Sequence, residues 1–141
     1  MDQCGYVCPE SCLECRQNFP GIFDPDAVER LCSAGVGSEV TVTLGGRLAM
    51  PALRRENRPI EISGRVKCVT DGRFKTSIAM GRGLMTEMGK TAVLSVGSVD
   101  IMVISRHFEP VDPGCFRSVG IEPTERRFLI CLLYTSDAAD E

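Results

Sequence analysis

Histidine is nearly missing from this chain: His107 stands alone among 141 residues. A sequence with one histidine and no convergent set of catalytic side chains reads as part of a larger machine, here a detached support domain. An excess of positive charge is missing as well. Sixteen basic against nineteen acidic residues leave a net charge of -3, so no basic field exists to draw in nucleic acid or an anionic membrane, and neither partner is expected. Long apolar runs are also lacking. The longest, around Ile101 to Ile104, is far too short to cross a bilayer, and Met1-Asp2-Gln3-Cys4 has neither the charged start nor the apolar core of a secretory leader. A cytoplasmic location is the expectation. What the chain does have is 43% hydrophobic content, enough to close one core, in a length too short for two ordinary domains.

Eight cysteines are present, and four crowd into Cys4, Cys8, Cys12 and Cys15. The others, Cys32, Cys68, Cys115 and Cys131, sit singly among apolar positions, where cysteine behaves as a small buried hydrophobe, so they are expected to be reduced core residues.

Asp24-Pro25-Asp26-Ala27 opens a helix: Asp24 can accept from the first free backbone N–H groups, and Pro25 lacks a donor it would not have used. Val28, Leu31 and Cys32 form one apolar stripe, and Gly35 ends the helix, giving Asp24 to Ala34. From Glu39 the period becomes two, with Val40, Val42 and Leu44 on one face until Gly45-Gly46 stops the strand. Arg47 to Pro59 is irregular and basic and reads as a surface loop. Ile60, Ile62, Val66 and Cys68 alternate again, with Gly64 as the expected bulge, and Asp71-Gly72 signals a tight turn into Arg73-Phe74-Lys75, which predicts a hairpin. Gly81, Gly83 and Gly89 interrupt both periods between Ile78 and Lys90, which predicts a loop. Thr91 to Val96, Gly97-Ser98 and Val99 to Ser105 form the clearest hairpin, rich enough in valine and isoleucine to be central. Asp112-Pro113 repeats the helix-opening device, followed by the stripe Cys115, Phe116 and Val119 and a stop at Gly120. Arg126 to Leu133 reads as a last strand. The fold class is α+β, mostly antiparallel hairpins with two short helices in a single domain.

Three constellations could carry chemistry. Cys8-x3-Cys12-x2-Cys15 has the spacing of the cluster loop of radical S-adenosylmethionine enzymes. That chemistry needs a large strand-helix barrel, whereas antiparallel hairpins follow here. With Cys4 added, a four-cysteine zinc knuckle is the alternative, although its spacing is uneven. Gly89-Lys90-Thr91 matches the end of a phosphate-binding loop, but Leu84 stands where the motif needs glycine, Gly83 is displaced by one, and a strand follows where a helix is required. Arg106-His107, with Asp100, Glu109 and Asp112 nearby in sequence, could form a carboxylate-oriented base, but no serine or cysteine occupies a nucleophile motif, so a surface histidine is the plainer reading.

In order along the chain stand Gly21-Ile22-Phe23-Asp24-Pro25-Asp26-Ala27-Val28, Ala34-Gly35-Val36-Gly37, Leu44-Gly45-Gly46, Asp71-Gly72-Arg73-Phe74, Met88-Gly89-Lys90-Thr91-Ala92-Val93-Leu94 and Phe116-Arg117-Ser118-Val119-Gly120-Ile121-Glu122-Pro123. This series resembles the carboxy-terminal domain of the microcystinase C (MlrC) family of zinc metallopeptidase-like hydrolases, over residues 21–130. The resemblance implies that the aspartate and histidine zinc ligands belong to an amino-terminal catalytic domain absent from this chain, so no catalytic, cofactor-binding or metal residue carries over. Zinc would be bound outside this fragment. The missing catalytic domain is the implied partner, with a homo-oligomer as a further arrangement. The face turned toward that domain is expected on the segment Ile78 to Gly89, where glycines permit close backbone approach and Met80, Met85 and Met88 offer an adaptable apolar surface, with an ordinary mobile loop as the equal alternative.

Both ends depart from the family pattern. Residues 1–20 lack its glycine-rich Asp-Asn-Pro-Gly segment and read as divergent or mis-started, with Cys12-Leu13-Glu14-Cys15 as a remnant of its helix. Residues 131–141 resemble a translated sequencing-adapter tail and are expected to be non-native. Two alternatives stand beside the hydrolase reading: a small metal-binding or iron–sulfur module on Cys4, Cys8, Cys12 and Cys15, and a purely structural dimerisation domain.

Overall fold

The computed structural model describes residues 17–46 and 58–129. Along them run β1 (Gln17–Phe23), α1 (Pro25–Ala34), β2 (Glu39–Leu44), β3 (Ile60–Thr70), β4 (Arg73–Lys75), β5 (Met85–Glu87), β6 (Thr91–Val96), β7 (Val99–Ile104), α2 (Gly114–Arg117), a 3-10 turn at Pro123–Glu125 and β8 (Phe128–Leu129). Six strands make one mixed sheet in the order β2-β3-β6-β7-β1-β8, and β4 pairs with β5 in a separate two-stranded sheet. The α+β class expected from the sequence is the class observed.

β6 and β7 form the antiparallel hairpin read from Gly97-Ser98, with Val96 opposite Val99 and Thr91 opposite Ile104. They occupy the middle of the sheet, and their apolar runs go to both faces. Ala92, Leu94, Ile101 and Val103 pack with Ala27, Val28 and Leu31 of α1 on one side. Val93, Met102 and Ile104 pack with Phe74, Met88, Cys115 and Phe116 on the other. A strand covered on both faces has no solvent side to keep polar, which is why these runs do not alternate.

α1 starts as its sequence dictates. Asp24 Oδ1 accepts from Ala27 N at 3.0 Å, Oδ2 accepts from Gly45 N at 3.1 Å, and Pro25 fills the first turn. One carboxylate thus caps the helix and ties it to the end of β2. At the other end Gly35, with φ 81°, donates to Leu31 O.

The structure corrects four expectations. β3 does not fold back on Arg73–Lys75; it pairs with β2 and β6, and β4 leaves the sheet to pair with β5. The turn at Asp71-Gly72 is real, but it sends Phe74 into the second core cluster, so the strand that follows cannot return to the edge of β3. The segment between Ile78 and Lys90 is not all loop, because it contains β5. The irregularity in β3 lies between Val66 and Cys68 rather than at Gly64, which pairs regularly with Val40. Gly64 answers a different need: a Cβ there would lie 2.5 Å from Ser95 O. Finally β1, parallel to both β7 and β8, was not foreseen. Its pairing with β7 shifts between Phe19 and Ile22, where Pro20 offers no donor and Gly21 takes φ 57°, so no clean period marks it as a strand. The expected last strand appears as β8, and its continuation past residue 129 lies outside the described residues, as do most of the Arg47 to Pro59 loop and Cys131.

Candidate domain interface

The β4–β5 hairpin is built from a buried base and an exposed tip. At the base, Thr70 Oγ1 accepts from Gly72 N at 3.0 Å, Asp71 Oδ1 accepts from Arg73 N at 3.1 Å, and Met88 N donates to Gly72 O at 2.9 Å. Gly72 has φ 72°, and a side chain there would collide with the carbonyl oxygen of Gly89, so the two legs cross where only glycine fits. Phe74 points inward and meets Phe108 edge-on with centroids 5.7 Å apart, and Met88 is fully buried. Arg73, Lys75, Met85 and Glu87 face outward.

Above the base the chain is held by polar bonds rather than by packing. Thr76 N donates to Leu84 O and Gly83 N to Thr76 O, both at 2.9 Å, and the Thr76 and Thr86 hydroxyls lie 2.8 Å apart. The strongest fixture comes from the far side of the sequence. Asp112, only 2% exposed, accepts from Ser77 N and Ser77 Oγ at 2.6 Å each, from Ile78 N at 3.4 Å and from Gly114 N at 2.7 Å. Burial opposes its ionisation, but the bonds from Ser77, Gly114 and Ile78 override that and lower its pKa to about 2. The same carboxylate therefore binds the first N–H of α2, where Pro113 rather than Asp112 takes the N-cap position, and clamps the hairpin.

The clamped tip displays large apolar side chains to solvent: Met80 is 85% exposed, Leu84 67% and Met85 51%. Val111, next to the clamp, is exposed as well. Met88, expected on this surface, belongs instead to the core. Two cations flank the tip, Lys75 and Arg82, both exposed and without an ion-pair partner among the described residues. Just below them Glu87 pairs with both Arg73 at 3.1 Å and Arg106 at 3.0 Å.

A second polar cluster lies under the β6–β7 turn. Asp100 accepts from Lys67 Nζ at 2.6 Å and Ser95 Oγ at 2.8 Å, and Arg126 reaches Asp100 Oδ2 at 3.1 Å. Lys67 is the residue left unpaired by the β3 irregularity, so the bulge aims a lysine at a buried carboxylate. Arg126 is itself 7% exposed. This cluster ties β3, β6 and β7 together and commits the Asp100 carboxylate to structural bonds.

The other sequence candidates are not brought together. His107 is exposed and stacks on Phe23 with centroids 3.8 Å apart, while Asp100 and Asp112 are committed elsewhere. Lys90 pairs with Glu29 of α1 at 2.6 Å, and Thr91 is a buried β6 residue whose hydroxyl donates to Gly89 O, an arrangement unlike a phosphate loop. Among the described residues no group of three or more His, Cys, Asp or Glu could hold a metal. Cys4, Cys8, Cys12 and Cys15 lie outside the described residues. Cys32 and Cys68 are half-buried free thiols, and burial raises the pKa of each. Cys115 is buried in the second core cluster. No described helix is long and apolar enough to cross a membrane. Sequence reasoning anticipated Asp112 as a helix opener and missed its clamp, because Ser77 lies 35 residues away and nothing local announces it.

The family model described as MlrC C-terminus matches residues 13–132. Microcystinase C from Sphingomonas sp is 23% identical over 108 residues, covering 77% of this chain and 20% of that protein. A crystal structure named "putative metallopeptidase", from Mesorhizobium sp. BNC1, superposes with a TM-score of 0.70 at 22% identity, covering 82% of this chain and 22% of that one. The chain thus spans about a fifth of the length of either relative.

Proposed function

Since this chain belongs to the MlrC C-terminal family, we propose that it serves as the carboxy-terminal domain of a longer, microcystinase C-like zinc-dependent hydrolase of amide or peptide bonds. The observation that carries this reading is the family match over residues 13–132, joined to a length about one fifth of its relatives. Among the described residues no group of three or more metal-ligating side chains occurs, and in this reading the metal and its ligands lie in the remainder of the longer protein. Zinc there would lower the pKa of a bound water and polarise the scissile carbonyl. The part played by this chain is mechanical: a rigid sheet, covered on both faces, holds the β4–β5 hairpin at a fixed height so that its tip can form packing surface or part of the cleft wall.

The test compares the longer protein with the isolated chain. Zinc content by elemental analysis and hydrolysis of a panel of small amides and peptides are expected in the longer protein and absent from the isolated chain. Zinc retained by the isolated chain, and lost on substituting Cys4, Cys8, Cys12 and Cys15 by serine, would replace this reading with a cysteine metal module.

A further inference from the structure

We infer that the tip of the β4–β5 hairpin docks into an apolar cleft rimmed with carboxylates on the catalytic portion of the longer protein, with Met80, Leu84 and Met85 as the anchors and Lys75 and Arg82 as the flanking charges. The inference rests on the functional reading above and names the surface through which it operates.

Three observations carry it. First, large apolar side chains usually appear singly on a surface, whereas here three share one hairpin tip, the pattern of a contact site. Second, their exposure does not come from a slack loop. The Asp112 clamp and the Thr76 bonds fix the backbone beneath them, so the cost of ordering the tip is met within the domain before any partner arrives. Third, the charge pattern selects the partner. Arg73 and Arg106 share the one carboxylate of Glu87, while Lys75 and Arg82 have no ion-pair partner among the described residues. Lys75 lies opposite Met85 in the strand register, so a cation and an apolar anchor are presented side by side. A two-fold contact between copies through the tip would gather two copies of each of these cations into one interface, which is repulsive. A cleft with acidic rims on the remaining four fifths of such a protein satisfies both features.

Methionine oxidation by dilute peroxide, read by peptide mass spectrometry, tests the inference in the longer protein against the isolated chain. Met88 and Met102 are buried and serve as slow controls in both. Met80 and Met85 are expected to oxidise rapidly in the isolated chain and at least about fivefold more slowly in the longer protein, because sulfoxide formation follows access to the sulfur. A K75E/R82E variant should restore rapid oxidation in the longer protein while leaving the melting temperature of the isolated chain unchanged. Equal rates in the two proteins overturn the inference. So does protection of Met80 in the isolated chain that grows with protein concentration, which would assign the tip to a second copy. Zinc and amide hydrolysis in the longer protein without protection refute the docking alone. Protection without zinc or hydrolysis refutes the functional reading and leaves the docking in place.

Discussion

Two hairpins of this chain treat apolar residues in opposite ways. In β6–β7 the side chains of Val93, Leu94, Met102 and Val103 are all shut away, alternately against α1 and against the β4–β5 and α2 layer. In β4–β5 the strands bury Phe74, while Met85 and the tip residues Met80 and Leu84 face water. The first hairpin is stabilised by the burial of area, about 1.5–3 kcal/mol for each large side chain. The second is positioned by donors converging on one carboxylate. Apolar residues are therefore structural in the central hairpin and available for contact in the peripheral one.

Substitutions should break this contrast in a graded order. Leu94→Ala removes a side chain buried at the centre of the sheet and should cost about 3 kcal/mol, seen as a lower midpoint in urea unfolding of the isolated chain. Asp112→Asn comes next, at about 2 kcal/mol at neutral pH, because the bonds from Ser77 and Gly114 lose their charged acceptor. Its pH dependence is diagnostic. The folded carboxyl titrates at about 2, below its ordinary 3.8, so its contribution is fully present above the unfolded pKa and is lost as pH falls from about 4 toward 2. Urea midpoints measured across that window should fall for the native chain and converge on those of the variant.

Asp24→Ala should cost about 1 kcal/mol or somewhat more, since the helix cap and the tie to Gly45 go together; loss of helical circular dichroism near the transition would register it. The smallest effect is expected at the tip. Met80→Ser and Leu84→Ser should alter the stability of the isolated chain by no more than about 0.5 kcal/mol, because each side chain is mostly in water already. A loss as large as that of Leu94→Ala would mean that the tip is packed, and the contrast between the hairpins would collapse.

Much of the fold was legible because it is written in short-range chemistry. Asp24-Pro25 and Gly35 bounded α1 correctly, Gly97-Ser98 located the central turn, and Asp112-Pro113 marked the start of α2. The partner of Arg73–Lys75 was not legible, since either β3 or a later strand suits its pattern and only the burial of Phe74 decides. β1 escaped because Pro20 and Gly21 erase its period. The candidate interface was partly legible: methionines among glycines pointed to the segment, but Met88 was assigned to the wrong side of the surface.

The sequence by itself determined the helix and turn boundaries and the apolar content of the central strands, because caps, φ preferences and side-chain burial act over a few residues. Tertiary structure alone decided that β1 runs parallel beside β7, that Lys67 and Arg126 converge on Asp100, and that Asp112 clamps Ser77 across 35 residues. Those arrangements depend on which distant donors reach a buried carboxylate or an open strand edge, and that is settled only when the layers close.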